Sequence, residues 1–419
     1  MRIAVIGSGI SGLASAYYLS RRHEVTLFEK DTRLGGHTHT VPVPSHAAPL
    51  SIDTGFIVHN HRTYPNLIRL FAELNVETAD SDMSFAVVCR RTGFEYSSRG
   101  LAGFFAQRSN LLRPSQFRLL REILRFNRQA PRLLDQPGAA TATIGDFLAE
   151  GHYHECFLER YLFPMAAAVW SMPFDTIRAF PALTLIRFFD NHGMLGVNTH
   201  PKWKVVRGGS NQYIAPITRP FLDRIHTGVD IAAVERHPDA VTVKLRDGRQ
   251  ERFDHVVFAC HGDQVLPMLE APTPQERDVL GHFQTTRNTA CLHTDSALLP
   301  RRPMARASWN YNLGLGDGSD DAGTVAVTYH MNRLQSLNTA QDYCVTLNGE
   351  AAIAPEKVIR TMVYNHPLFS HQAIAAQQRW GEISGHNRTH FCGAYWFYGF
   401  HEDGLNSALR VARALEVPC

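Results

Sequence analysis

The first 29 residues constrain this chain more than any other segment does. Residues 1–6 form a short apolar run typical of a buried strand. A helical pattern covers residues 13–20, and a second strand pattern covers residues 24–28 and ends at Glu29. Between the first strand and the helix lies a glycine-rich turn, Gly7-Ser8-Gly9-Ile10-Ser11-Gly12. This strand–turn–helix–strand order is the context in which such a turn predicts a dinucleotide site.

Each glycine of the turn has a separate physical role. Gly7 permits a tight turn, Gly9 lets the backbone approach a pyrophosphate, and Gly12 lets the helix pack closely on the strand. The first amide groups of the helix would then face the phosphates. Glu29 is placed to accept hydrogen bonds from a ribose diol, and its charge disfavours a 2′-phosphate.

A second glycine pair follows directly and favours FAD over NAD. Gly35 and Gly36 offer bare backbone where a second part of a large cofactor could lie, and an NAD enzyme needs no such extension. The candidate contacts in this region are Lys30, Arg33, Gly35, Gly36, His37, Thr38, Gly55 and Phe56.

The stretch from Glu29 to Gly36 resembles the second FAD motif of the amine-oxidase-like flavoproteins, the superfamily of monoamine oxidases, phytoene desaturases and protoporphyrinogen oxidases. Residues 391–404 resemble that family's strand and following helix, whose N-terminal amides meet the flavin pyrimidine. The resemblance implies further FAD contacts at Ile231, Ala259, Gly393, Phe400, His401 and Glu402. Ile231 falls where the family contacts adenine.

We therefore expect an α/β fold with two domains. A discontinuous Rossmann-like FAD-binding domain would comprise residues 1–75, 205–290 and 385–419. An inserted α+β substrate domain, amine-oxidase-like, would comprise residues 76–204 and 291–384. Ligands of open parallel sheets lie at the carboxyl ends of the strands, so the flavin ring is expected where the domains meet.

Two local patterns within the returning segment predict secondary structure. Residues 241–249 alternate and then turn at Asp247-Gly248, which predicts a β-hairpin. Residues 212–224 are expected to form one helix.

Composition narrows the class of protein. The net charge of +3 indicates no nucleic acid partner, and seven scattered cysteines without a C-x-x-C pair indicate a reducing compartment. A strand that begins at residue 2 leaves no place for a signal peptide, and no apolar run is long enough to span a membrane. We expect a cytoplasmic protein. Three H-x-H pairs lack a third ligand at useful spacing, so no metal is expected.

Residues 97–135 contain eight arginines, no lysine and only two acidic residues. From Arg118 to Arg132 the arginines share one side of a predicted helix, with Phe117 and Leu124 at the border of its apolar side. One interpretation is a solvated helix that packs on the core. The other is a surface that meets anionic phospholipid, or the acidic carrier of an acyl chain, at the inner face of the membrane.

The aromatic and apolar segment 157–195 is typical of a core and could also line an apolar cavity. His192, His200 and Trp203 are candidates to approach the flavin. Monoamine and polyamine oxidases hold a lysine near flavin N5, and residues 285–293 place threonine, asparagine or arginine there. Phe400 stands where a tyrosine wall is usual. Both departures from the amine oxidase pattern argue against amine oxidation as the function.

The whole chain resembles a bacterial subgroup of that superfamily, often encoded beside cyclopropane-fatty-acid synthases. The resemblance implies an FAD-dependent dehydrogenase, oxidase or double-bond isomerase that acts by hydride transfer to flavin N5. Its expected substrate is apolar, an unsaturated or modified fatty acyl chain. The alternatives are an amine oxidase with an altered active site, or a non-catalytic flavoprotein partner of a lipid methyltransferase. No catalytic side chain is assigned.

Overall fold

The computed structural model describes residues 1–44, 48–136, 139–170, 174–196, 201–315 and 326–419. Within these residues the strands are β1 (Arg2–Ile6), β2 (Glu24–Phe28), β3 (Thr40–Val43), β4 (Leu50–Asp53), β5 (Val58–Asn60), β6 (Thr78–Ser81), β7 (Phe85–Cys89), β8 (Phe94–Ser97), β9 (Trp203–Val206), β10 (Ile225–His226), β11 (Ile231–Arg236), β12 (Val241–Leu245), β13 (Gln250–Phe253), β14 (His255–Phe258), β15 (Gln284–His293), β16 (Trp309–Leu313), β17 (Ala326–His330), β18 (Cys344–Leu347), β19 (Val358–Leu368) and β20 (Thr389–Phe391). The α-helices are α1 (Ile10–Leu19), α2 (Pro65–Glu73), α3 (Gly100–Phe104), α4 (Pro114–Gln129), α5 (Ile144–Gly151), α6 (Glu155–Phe157), α7 (Phe163–Trp170), α8 (Phe174–Ala179), α9 (Ala182–Asn191), α10 (Ile214–Thr218), α11 (Gly262–Met268), α12 (Pro274–Leu280), α13 (Met331–Leu334), α14 (His371–Gln377), α15 (Trp380–Ile383) and α16 (His401–Ala414).

A five-stranded parallel sheet in the order β10-β2-β1-β14-β20 confirms the predicted doubly wound α/β fold. Val5 is aligned with Leu27 on one side and with Val257 on the other. Strand β1 is buried after Arg2, because helices cover both faces of such a sheet and require a continuous apolar run.

The segment that returns to this sheet differs from the prediction of one helix over residues 212–224. It consists of a 3₁₀ turn, α10 and a second 3₁₀ turn over Arg219–Arg224, where Phe221 leaves helical geometry. Pro216 and Pro220 lack the N–H groups that a continuous helix needs. The predicted hairpin is confirmed as β12 and β13, which pair antiparallel.

A second, seven-stranded sheet has the order β19-β15-β18-β17-β16-β7-β8. Its pairs are antiparallel except β16 and β7, which run parallel. The smaller sheets are β11-β12-β13, β3-β4 and β5-β9-β6.

Two large clusters of buried apolar side chains form the interior. One surrounds the parallel sheet, and the other lies between the seven-stranded sheet and helices from α3 to α9. Phe400 packs against both clusters. The start of α16 therefore lies at their junction, while the domain boundaries given above stay a prediction.

The arginine-rich segment is helical over a shorter stretch than the arginine pattern suggests. Helix α4 ends at Gln129, and Arg132 lies in a 3₁₀ segment, Ala130–Asp135, that contains Pro131. Within the described part of the chain, no helix is long and apolar enough to cross a membrane.

Candidate active site

The turn between β1 and α1 has no room for side chains at two of its three glycines. Gly7 has a φ of +105°, which residues with a Cβ rarely adopt. A Cβ on Gly12 would lie 1.8 Å from the carbonyl oxygen of Gly7, so the helix packs directly on the turn. A Cβ on Gly9 would meet no atom within 4 Å. Gly9 therefore presents bare backbone to open space, the arrangement that a close-lying phosphate requires.

Two helix N-termini meet beside this turn. Gly9 is the N-cap of α1 and no side chain caps that helix, which leaves its first N–H groups without intrahelical acceptors. Gly404 in the first turn of α16 lies against them, since its Cβ would be 2.7 Å from Ile10 Cγ2 and 2.8 Å from Ser11 Oγ. The positive ends of two helix dipoles thus converge at a place suited to negative charge.

The second glycine pair lies directly on the first turn. The N–H of Gly35 donates to the carbonyl and hydroxyl oxygens of Ser8, at 3.1 and 3.2 Å. A Cβ on Gly36 would lie 3.1 Å from Gly9 Cα. Arg33 donates to three carbonyl oxygens within residues 34–38, at 2.7 to 3.1 Å, and so holds this loop closed. We call residues 7–12 and 33–38 the glycine cradle.

The Glu29 carboxylate lies at the edge of the glycine cradle, at the carboxyl end of β2. It accepts hydrogen bonds from the N–H and hydroxyl of Ser8, at 2.8 and 2.5 Å, and from the N–H of Asp31, at 2.8 Å. The N–H groups of Gly228 and Val229 donate to carbonyl oxygens of Asp31 and Glu29, both at 2.9 Å. Glu29 therefore lies beside the glycine cradle, and its role as a ribose acceptor stays a prediction.

Three further candidates occupy different surroundings. The N–H of Ala259 donates to the carbonyl oxygen of Ile6 at 2.8 Å. The carbonyl oxygen of Ala259 lies so close to Gly7 that it would be 2.9 Å from a Cβ there. Ile231 is buried at the start of β11. Lys30 is exposed and forms an ion pair with Asp230 at 3.7 Å.

At the other end of the site, His401 joins the two parts of the chain. Its ring stacks on Phe56 with centroids 3.7 Å apart. Its Nε2 lies 2.9 Å from the hydroxyl of Thr38 and 3.3 Å from that of Tyr213. Burial lowers the pKa of His401 to about 3, so the imidazole is neutral and its partners are fixed by tautomer rather than by charge.

His37 lies among aromatic and imidazole rings. The centroids of Tyr364, His366 and His261 are 5.1, 5.5 and 5.6 Å from that of His37. Burial, and then the neighbouring histidines, lower its pKa well below the usual value. Its Nε2 is buried without a hydrogen-bond partner. Gly55 makes room for the loop, because its Cβ would lie 2.2 Å from the His37 carbonyl oxygen.

A cavity of about 370 Å³ opens at the junction of the two cores. Phe188 of α9 and Phe400 form its aromatic wall, stacked with centroids 5.0 Å apart. His192 stacks on Phe188 at 3.8 Å, and burial lowers its pKa to about 4. Trp203 stacks on His192 at 6.0 Å. The rest of the lining is Pro65 together with polar, charged and tyrosine side chains, namely Arg62, Thr63, Tyr64, Asn66, Asn191, Tyr398, Glu402, Asp403 and Asn406.

The two carboxyl groups at this cavity are held by backbone amides. Glu402 accepts hydrogen bonds from the N–H groups of Asn66 and Leu67, at 3.0 and 2.8 Å, and so ties α2 to α16. Asp403 accepts one from the N–H of Phe400 at 2.9 Å. Burial raises the pKa of Glu402, and it raises that of Asp403 to about 7. The side chain of Glu402 therefore caps the start of α2, and only the backbone N–H of Glu402 is available at the N-terminus of α16.

Strand β15 carries no cationic side chain toward the interior at the position discussed for a lysine. Arg287 is exposed. Asn288 is buried, and its amide is bonded to the carbonyl oxygen of Thr286 at 3.1 Å and to Asn348 at 2.7 Å. Thr285 donates to Asp263 at 2.5 Å.

Four residues of the site belong to no recognisable sequence motif, namely Tyr213, Tyr364, His261 and His366. The last three surround His37, and only Tyr364 and His366 share a signal, since alternate residues of β19 face the same side. Gly393 precedes the 3₁₀ turn Ala394–Trp396 that leads to α16. His200 and residues 171–173 lie outside the described residues.

Comparison with known proteins places these features in a family. Residues 10–298, more than half of the chain, match the family model of flavin-containing amine oxidoreductases. Cyclohexylamine oxidase from Brevibacterium oxydans IH-35A has a similar structure, with a TM-score of 0.69, 15% identity and 99% of each chain covered. A CLA-producing fatty acid isomerase from P. acnes gives a TM-score of 0.70, 16% identity and 98% coverage of each chain.

One curated relative matches locally. A 4,4′-diapophytoene desaturase from Staphylococcus aureus (strain bovine RF122 / ET3-1) is 60% identical over 37 residues, which is 9% of this chain and 7% of the desaturase. The chain thus spans a small part of that relative.

The chain belongs to the flavin-containing amine oxidoreductases. It is an FAD-dependent oxidoreductase. The glycine cradle fits this cofactor, because Gly9 faces open space, the α1 amides are uncapped and the buried His37 Nε2 has no hydrogen-bond partner. The residues predicted to hold FAD remain a proposal, in which the cradle takes the pyrophosphate, Glu29 the ribose and the α16 amides the flavin pyrimidine.

Proposed function

We propose that this protein oxidises, or isomerises at a double bond, an unsaturated or methyl-modified fatty acyl chain. The observation that carries the proposal is the Phe188–Phe400 wall of the 370 Å³ cavity, an apolar surface at the junction of the two cores. Bound FAD supplies a hydride acceptor and, for isomerisation, a hydride donor. The aromatic wall would position the acyl carbon and exclude water from it.

The protonation state of His192 at the cavity, and of two further buried histidines, supports this chemistry. Burial lowers the pKa of His192 and His366 to about 4 and that of His401 to about 3. Neutral imidazoles suit a site that works on carbon without an acidic proton. The fold similarity to a fatty acid isomerase and the local match to a desaturase point in the same direction.

The polar rim suits an amphiphile. Arg62 is exposed at the cavity and no carboxylate lies within ion-pair distance of it among the described residues. Its guanidinium could hold the head group while the chain enters between Phe188 and Phe400.

Amine oxidation is the second candidate, and one observation favours it. Glu402 and Asp403 line the cavity beside four phenylalanine and tyrosine rings, and carboxyl groups with aromatic faces attract an ammonium group. Against it stands β15, whose inward side chains Thr286 and Asn288 are neutral.

The test is anaerobic mixing of the FAD-loaded protein with free unsaturated fatty acids, phospholipids that contain them, and arylalkyl- or polyamines. Loss of the oxidised-flavin absorbance reports oxidation, and gas chromatography of the acyl products reports isomerisation. We expect one of these signals with a lipid and none with amines. Bleaching by amines alone would establish the second candidate. If no substrate reduced the FAD and the acyl chains were unchanged, the remaining hypothesis would be a non-catalytic partner of a lipid-modifying methyltransferase.

A variant locates the substrate. Phe188→Ala removes half of the aromatic wall and should lower turnover of the acyl substrate by about tenfold to a hundredfold, through lost positioning. Leu222→Ala, an exposed position away from the cavity, is the control. Unchanged turnover in Phe188→Ala, with FAD retained, would place the substrate elsewhere.

A further inference from the structure

One surface of the inserted segment exposes large apolar side chains. It combines α3, the 3₁₀ turn Arg108–Leu112 and α4, and we call its residues 99–132 the arginine patch. The exposed fractions are 69% for Leu101, 51% for Leu111, 87% for Leu112, 50% for Phe117 and 43% for Leu124. Single exposed apolar residues are normal, but a group of five on adjoining elements marks a contact surface.

Helix α4 shows how this surface is built. Its inward side packs on the core through Gln116, Leu119, Glu122 and Phe126. Its exposed side carries Phe117, Arg121, Leu124 and Arg128, which at 100° per residue share a sector of about 60°. Phe117 and Leu124 lie at the edge of the arginine sector, as the sequence suggested, and both are exposed beside the arginines. The ring of Phe105 supports Phe117 from below, at 5.5 Å.

The charge of the arginine patch is almost uncompensated. Of its eight arginines, only Arg125 has a carboxylate within ion-pair distance among the described residues, Glu122 at 2.5 Å. Arg118 contacts the ring of His154 at 2.7 Å and Arg113 contacts Asn110 at 3.4 Å. The patch therefore presents guanidinium groups and apolar side chains together to solvent.

We propose that the arginine patch binds the surface of an anionic phospholipid bilayer. Guanidinium groups pair with lipid phosphates in a two-bond geometry, and the leucines and Phe117 enter the interface between head groups and acyl chains. A nucleic acid would use the arginines but would leave Leu101 and Leu112 in water. The bilayer is the partner that uses both kinds of side chain, and the inference needs no particular reaction at the cavity.

The path of the chain connects this surface with the proposed active site. The 3₁₀ segment that continues α4 packs against α9, which carries Phe188. A bilayer bound at the arginine patch would thus lie beside the part of the chain that carries Phe188 and lines the cavity.

The experiment uses the FAD-loaded protein and vesicles of phosphatidylcholine, with or without phosphatidylglycerol as about one third of the lipid. Co-flotation with vesicles measures binding, so the readout is independent of activity. We expect binding to the anionic vesicles, little binding to the neutral ones, and release as salt is raised. Equal binding to both, or to neither, would overturn the proposal.

Charge variants test the arginines. Arg118→Gln, Arg121→Gln and Arg128→Gln combined should weaken binding about a hundredfold, from about fivefold for each charge near an anionic surface. Arg277→Gln, an exposed arginine on α12, is the matched control and should bind like the parent. Unchanged binding by the triple variant would contradict the proposal.

Leucine variants separate a bilayer from a soluble polyanion. Leu112→Asn should weaken vesicle binding about tenfold, because apolar area no longer leaves water, while Leu222→Asn, equally a surface leucine, should not. Binding of an oligonucleotide that Leu112→Asn leaves intact, without vesicle binding, would identify a nucleic acid site and overturn the proposal. FAD absorbance and melting temperature confirm that each variant is folded.

Discussion

The glycine cradle and the arginine patch use sequence in opposite ways. In the cradle, backbone atoms approach so closely that one added carbon at Gly12 would meet the Gly7 carbonyl oxygen at 1.8 Å. In the patch, seven arginines extend into solvent without a carboxylate partner among the described residues. The cradle therefore depends on single positions, and the patch on the sum of many.

Lowering the pH should destabilise the fold through its buried histidines, and it should leave the charge of the arginine patch unchanged. Burial lowers the pKa of seven histidines to about 3 or 4, namely His39, His59, His192, His293, His366, His390 and His401. Below the usual histidine pKa of about 6.5, the unfolded chain binds more protons than the folded one. Stability therefore falls as pH decreases from about 6.5 to about 4.

Three buried carboxyl groups oppose this trend. Burial raises the pKa of Glu402, that of Asp53 to about 6 and that of Asp403 to about 7, so their contribution improves as pH falls. Seven groups outweigh three, and the net loss should reach the roughly 5–15 kcal/mol of a typical domain. Urea unfolding of the FAD-free protein at stepped pH measures it. The triple arginine variant should give the same profile, and a flat profile down to pH of about 4.5 would refute the assignment of neutral buried histidines.

The next largest effect separates two glycines of the cradle. Gly12→Ala forces helix and turn apart and should lower the free energy of unfolding by about 3 kcal/mol or more. Gly9→Ala meets no protein atom, and its φ of −63° suits alanine, so the FAD-free protein should keep its stability. It should still lose FAD affinity, because the methyl group enters the space left for the cofactor.

Thermal melting without FAD and fluorescence titration with FAD measure the two properties. If Gly9→Ala bound FAD like the parent, the pyrophosphate would lie elsewhere. If both variants lost stability equally, Gly9 would be packed against protein atoms as Gly12 is.

The cradle was predictable from sequence because its constraints are local. Gly7 and Gly12 act within one turn, and Glu29 follows one strand later, so spacing alone identifies them. Tyr364 and His366 reach His37 only through the pairing of β19 with β15, a contact between distant segments that no local pattern reports. Periodicity gives relative directions on a helix and so placed Phe117 and Leu124 at the border of the arginine side. Only the packing of the helix shows that both face solvent.

A smaller effect is expected at the edge of the cradle. Glu29→Gln keeps one acceptor oxygen but removes the charge, and it should weaken FAD binding about tenfold to a hundredfold, as for a hydrogen bond to a charged acceptor. Asp31→Asn removes a neighbouring exposed charge and should change affinity little. Equal losses in both variants would show a general electrostatic effect rather than a ribose contact.

The smallest effects lie in the patch and distinguish its one paired arginine from a free one. Arg125 bonds the buried Glu122 and the Gly151 carbonyl oxygen at 2.8 Å, and lies 4.0 Å over the Tyr153 ring. Arg125→Gln leaves Glu122 without its partner and should lower the free energy of unfolding by about 1–3 kcal/mol. Arg128→Gln should change it by less than about 0.5 kcal/mol while weakening anionic vesicle binding about fivefold. Arg125 is thus tested by stability and Arg128 by vesicle binding. A stability loss in Arg128→Gln would show that Arg128, too, makes stabilising contacts within the fold.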